Sequence, residues 1–178
     1  MLENFGRQTN LSFVVIVASL LLGLGSYYFL KRRGRGEFAR SLLWGILTAG
    51  TVLVIVVFTV LPIGIRSHHD RALVLIPFAG GEYANVNRQL IIQKIFGNVA
   101  LFIPLGFCLR QLTRWKFRLC LGAGFLVTFV AESVQYAIAR GTSTTADLLL
   151  NSIGTGIGVA LAISVSNVAN RSNDDLIT

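Results

Sequence analysis

Charged side chains are scarce in this sequence. Only 13% of its 178 residues are charged and 53% are hydrophobic, with a mean hydropathy of +0.67. Soluble domains average about 25% charged residues, so an ordinary water-soluble domain is excluded. Acidic residues are scarcer still, 8 against 16 basic, which leaves a net charge of +8. The basic residues fall in bursts between apolar runs rather than along one stripe. That is the positive-inside pattern of a membrane protein, and it argues against nucleic acid as a partner. Cysteine is limited to Cys108 and Cys120, which make no disulfide framework. Both lie near the inner ends of expected helices, where the cytosol keeps thiols reduced, and both read as small apolar fillers. No CxxC or Cys/His spacing points to zinc. The adjacent histidines of His68-His69-Asp70 read as solvated loop residues. No metal and no cofactor are expected.

What the chain has is apolar length. Five runs can be drawn: Leu11–Leu30, Ser41–Ile65, Leu90–Leu112, Phe117–Ala139 and Ala146–Val165. A helix of about 20 residues, rising 1.5 Å per residue, crosses roughly 30 Å of hydrocarbon. The third run is diluted at its start by Gln93, Lys94 and Asn98. The first lacks a basic leading flank and is followed by Lys31-Arg32-Arg33, so it reads as an anchor rather than a cleaved signal peptide. An exported N-terminus leaves Lys31, Arg32, Arg33, Arg35 and Arg40 in the first cytoplasmic loop. Arg110, Arg114, Lys116 and Arg118 then surround the second. Short loops carry most of the topological weight. The expected fold is therefore an all-α integral membrane helical bundle of about five transmembrane helices, N-out and C-in, in the lipid bilayer.

The last three helices are joined by brief segments, Gln111–Lys116 and Arg140–Thr145, which implies antiparallel neighbours. Gly154-x-x-x-Gly158 offers a close-approach face, expected to serve the interface between the fourth and fifth helices. Pro104 frees the carbonyl of Ala100 inside the third helix. Arg66–Gln93 is the odd segment: long, yet as apolar as a core at Ala72–Ala79. A connection of that length is usually functional or disordered. A re-entrant or interfacial segment at the outer surface fits it best, turned by Gly80-Gly81.

Polar residues inside this apolar background carry the functional signal. Glu132, Gln135, Arg140, Asp147 and Asn151 lie in or beside the last two spans, with Asn98 upstream. An ionisable group in a span costs roughly 2.5–3.5 kcal/mol on insertion scales and marks a functional site by default. Thr128, Glu132 and Gln135 share one helix face, and Asp147, Asn151, Gly154 and Gly158 share another. Glu132 lies about seven residues before the end of its run, roughly 10 Å deep. The whole set thus converges on the outer half of the membrane, and Glu132 is expected to face Asn151. Plainer readings stand beside this. Thr144-x-x-Asp147 resembles a capping box, with the helix dipole favouring the anion. Arg140 suits a helix end and can snorkel. Asn98 and Asn151 suit interhelical hydrogen bonds. Glu132 has no such local explanation.

In order along the chain, the motifs are Leu75-Ile76-Pro77-Phe78, then Asn98-Val99-Ala100-Leu101-Phe102-Ile103-Pro104-Leu105-Gly106. Glu132-x-x-Gln135 follows, then Asp147-Leu148-Leu149-Leu150-Asn151-x-x-Gly154-x-x-x-Gly158. This order and spacing, over Val74–Gly158, resembles the VanZ-like family of small bacterial membrane proteins. The family often has Asn where Val74 stands, and an acidic residue where Thr144 stands. The resemblance implies a multi-pass protein of the bacterial inner or cytoplasmic membrane. The family's namesake is associated with low-level resistance to the glycopeptide teicoplanin.

The organisation expected is two N-terminal transmembrane helices over 1–66, a VanZ-like membrane domain with its outer segment over 67–166, and a cytoplasmic tail over 167–178. Three functions stay open. One is a cell-envelope protein whose outer polar pocket (Glu132, Gln135, Asp147, Asn151, Asn98, Arg140) engages a lipid-linked or peptidoglycan-related ligand. Another is an integral membrane enzyme using a carboxylate as general acid or base on a lipid. Against it stands the lack of a Ser or Cys nucleophile paired with His. The third is a bundle whose polar residues hold helices in register. A transporter is disfavoured because no internal repeat is visible. Nothing in the sequence signals an oligomeric state.

Overall fold

The structure, a computed structural model, describes residues 2–60, 72–74, 88–137 and 142–174. Five helices account for nearly all of them: α1 (Leu2–Arg32), α2 (Gly36–Val60), α3 (Arg88–Thr113), α4 (Phe117–Ala137) and α5 (Thr145–Asp174). Each contains a stretch long and apolar enough to cross a membrane. The protein is a multi-pass helical membrane bundle. Helix α5 runs on to Asp174, through most of the stretch expected as a tail. Arg140, His68-His69-Asp70, Gly80-Gly81 and the Leu75–Phe78 motif lie outside the described residues.

Local chemistry sets the tight turns. Helix α1 ends with Gly34 at φ 76°, its N–H bonded to the Lys31 carbonyl and that of Arg35 to the Leu30 carbonyl, both at 3.1 Å. That is a Schellman termination, which needs a residue free to enter the left-handed region. Helix α3 ends instead on Arg114 at φ 55°, its N–H reaching the Arg110 carbonyl over 3.0 Å.

Helix α5 is the most buried span and α1 the least. The widest interface joins α3 to α5, and α1 packs chiefly on α2. Lipid tails are as apolar as leucine, so small residues that let backbones approach do much of the work. A Cβ on Gly154 would collide with the Val99 carbonyl, and one on Gly158 with the Ile103 carbonyl and Phe107 amide. Gly106 meets the Thr155 backbone in the same way. The Gly154/Gly158 face therefore serves α3, not α4 as expected. The interface with α4 is made instead by Gly124, which leaves room only for the Thr155 side chain. Ile55 of α2 packs with Phe102 and Leu105 of α3 in the fully buried centre, and Trp44 lies against Phe107 at 5.8 Å.

Two three-residue strands, β1 (Ala72–Val74) and β2 (Thr142–Thr144), add to the helices. They pair in parallel, Ala72 with Thr142, Leu73 with Ser143 and Val74 with Thr144. The short connection before α5 is thus a strand and not a plain turn. It ties part of the long α2–α3 connection to the N-terminus of α5.

Candidate functional site

The polar residues gather where α3 and α5 begin and α2 and α4 end. Thr144, the last residue of β2, caps α5: its hydroxyl accepts the Asp147 N–H at 3.1 Å. That satisfies one of the four orphan donors of the first turn. Asp147 sits in this turn, where the helix dipole favours a negative charge. Its Oδ1 accepts from Asn98 Nδ2 at 2.5 Å, and its Oδ2 pairs with Lys94 Nζ at 3.3 Å. Lys94 and Asn98 are one turn apart on α3 and so present both donors to one carboxylate. The Asp147 side chain is 9% exposed and that of Lys94 is 32% exposed. In the sequence Lys94 reads only as a dilution of the third span. Its position four residues before Asn98 was the signal available.

One turn deeper, Asn151 Nδ2 donates to the Thr128 hydroxyl of α4 at 2.7 Å. The expected partner was Glu132. Asn151 Oδ1 is buried and meets no hydrogen-bond donor among the described residues. A buried amide oxygen left in that state costs about 1–3 kcal/mol. On α4 the buried residues Cys120, Gly124, Thr128 and Glu132 form a single stripe at four-residue spacing. Gly124 meets Thr155 and Thr128 meets Asn151. One further turn on each helix brings Glu132 level with Asp147. Glu132 itself is 7% exposed.

Gln135 points elsewhere. Its Nε2 donates to the Thr59 carbonyl at 2.5 Å, at the end of α2, where backbone carbonyls have no partner within the helix. Gln135 thus joins α4 to α2. Of the sequence candidates, Asn98 and Asp147 are in direct contact, with Asn151 one turn below and Glu132 on the facing stripe. Arg140 lies outside the described residues. Among those described, no group of three or more His, Cys, Asp or Glu side chains is placed to hold a metal.

A family model for VanZ/LLP1 matches residues 46–166. The chain belongs to the VanZ/LLP1 family. The match takes in most of α2, all of α3 and α4, and α5 as far as Ser166. Every contact of the polar cluster described above lies inside it. Helix α1, which packs chiefly on α2, lies outside the VanZ/LLP1 match. Neither the curated proteins nor the solved structures contain a match to this chain.

Proposed function

We propose that the polar end of this VanZ/LLP1 bundle faces the outside of a bacterial cytoplasmic membrane. There it engages the polar part of a lipid-linked or peptidoglycan-related ligand, and so alters susceptibility to glycopeptides such as teicoplanin. Asp147, Asn98, Lys94, Asn151 and Glu132 form the pocket in this reading, with Gln135 bracing α4 against α2; Arg140, the remaining sequence candidate, lies outside the described residues. The observation that carries it is Asn151. Its Oδ1 is a buried acceptor without a hydrogen-bond partner among the described residues, one turn below a carboxylate held by Lys94 and Asn98. Such an atom in lipid calls for a donor from a ligand or from water. The orientation rests on the concentration of basic residues in the α1–α2 and α3–α4 connections.

A second reading has one observation of its own. The register that sets Glu132 level with Asp147 brings two carboxylates to one depth, an arrangement suited to general acid–base work on a lipid substrate.

The test uses purified protein in detergent with two probes, undecaprenyl phosphate and a muramyl pentapeptide. A ligand present at 100 times its Kd stabilises the folded state by about 2.7 kcal/mol. A rise in unfolding temperature with either probe, reduced in Asn151→Leu, supports the pocket. No rise with either probe contradicts it, and breakdown of a probe by the wild type moves the protein to the enzyme reading.

A further inference from the structure

The opposite end of the bundle carries a separate cavity, independent of the reading above. Its volume is about 450 Å³, and Tyr27 and Lys31 of α1, Glu37 and Arg40 of α2, and Gln111 and Arg114 at the end of α3 line it. Three helices each deliver one cation to a single opening. Among the described residues no ion pair engages Lys31, Arg40 or Arg114. Glu37 offsets one of the three charges and leaves the mouth positive.

Two features of the backbone point the same way. Helix α2 begins at Gly36, directly after Gly34-Arg35, without a Ser, Thr, Asp or Asn to cap it. Its first N–H groups and positive dipole end therefore lie at the cavity, with Glu37 as the acidic side chain of that first turn. Arg114 holds the left-handed conformation at the end of α3, where glycine is the usual residue and a long side chain is disfavoured. Arg114 nonetheless stands at this position and lines the cavity. Beside it, Trp115, Phe117 and Phe38 are exposed, a belt of aromatic side chains suited to the boundary between headgroups and acyl chains.

We infer that this cavity binds the phosphate group of an anionic phospholipid such as phosphatidylglycerol. Lys31, Arg40 and Arg114 surround the phosphate oxygens, and the first turn of α2 donates from its backbone. The acyl chains lie along the exposed apolar flanks. Basic pockets between transmembrane helices at the membrane surface suit such headgroups. The same oxygens occur in soluble phosphate, so the experiment separates the two sources.

The full-length protein is reconstituted in vesicles of equal parts phosphatidylglycerol and phosphatidylcholine, and retained lipid is read by native mass spectrometry. Arg114→Gly removes the cation while keeping the turn that glycine prefers, and Lys31→Gln and Arg40→Gln test the other two helices. Wild type is expected to retain phosphatidylglycerol selectively, with about fivefold less retention for each cation removed. Arg114→Gly should unfold at the same or a higher temperature, which separates binding from a structural role. Saturable binding of inorganic phosphate to delipidated protein, lost in the same variants and without lipid selectivity, would keep the phosphate site and remove the lipid. Equal retention of both lipids with no phosphate binding, or selectivity unchanged in all three variants, overturns the proposal.

Discussion

The Asn151 side-chain amide donates to the Thr128 hydroxyl over 2.7 Å, in the same register of α4 against α5 that packs Thr155 on Gly124. One turn further along each helix, the same register brings Glu132 level with Asp147. Asp147 is held from the other side by Asn98 and Lys94 of α3. Helix α5 is therefore the element through which the polar residues of α3 and α4 meet.

Breaking the α3–α5 contact at one partner should cost more than removing both. Asp147→Leu leaves Lys94 and Asn98 facing an apolar side chain, an expected loss of about 1–3 kcal/mol in detergent unfolding. Asp147→Leu with Lys94→Leu should recover part of that loss, because the cation that Asp147 pairs with is removed together with it. Strictly additive losses in the double variant would show that the ion pair does not couple these helices.

Glycine substitutions along α5 should divide by neighbour. Gly158→Ala drives a methyl group into the Ile103 carbonyl and Phe107 amide, backbone atoms that cannot turn aside. An overpacking cost of about 1–3 kcal/mol is expected. Gly156→Ala meets only the Phe117 ring at 3.6 Å and Leu121 at 3.8 Å, so it should be neutral or slightly stabilising. Membrane abundance and unfolding temperature of the two variants give the comparison. Equal effects would count against the close α3–α5 approach.

Orientation is accessible to cysteine labelling. In a background lacking Cys108 and Cys120, cysteines at Ser41 and Thr142 lie at opposite ends of the bundle and should label from opposite sides. A label at 142 accessible from outside, with 41 protected, is expected. Accessibility of position 41 from outside would overturn the charge-based orientation.

The spans were legible because an apolar run of membrane length has few alternatives, and the polar cluster because ionisable side chains stand out against it. The cap at Thr144-x-x-Asp147 was legible for the same local reason: the Thr144 hydroxyl accepts the Asp147 N–H, while the Asp147 carboxylate goes to Asn98 and Lys94 of α3. Partnerships between distant segments were not. The Gly154/Gly158 spacing marks a face of α5 without saying which helix it meets, and that helix is α3. Lys94 reads as an interruption until the α3–α5 packing brings it to Asp147. Gln135 shares a face with Glu132 by spacing, yet its amide reaches the Thr59 carbonyl of α2. The β1–β2 ladder joins residues about 70 positions apart through three-residue strands, too short to show a period-two pattern.

Whether the polar cluster acts on a ligand instead of only holding helices together is tested most directly by Glu132→Gln. Gln keeps the shape and hydrogen-bonding capacity of Glu but cannot ionise. Teicoplanin susceptibility is measured in a bacterial host overexpressing wild type, Glu132→Gln or Glu132→Leu, together with the membrane level of each protein. Glu132→Gln is expected to reach normal abundance and lose the susceptibility shift seen with wild type, while Glu132→Leu falls in abundance. A full shift in Glu132→Gln at normal abundance would contradict a role for the ionised carboxylate and leave the cluster as a structural brace.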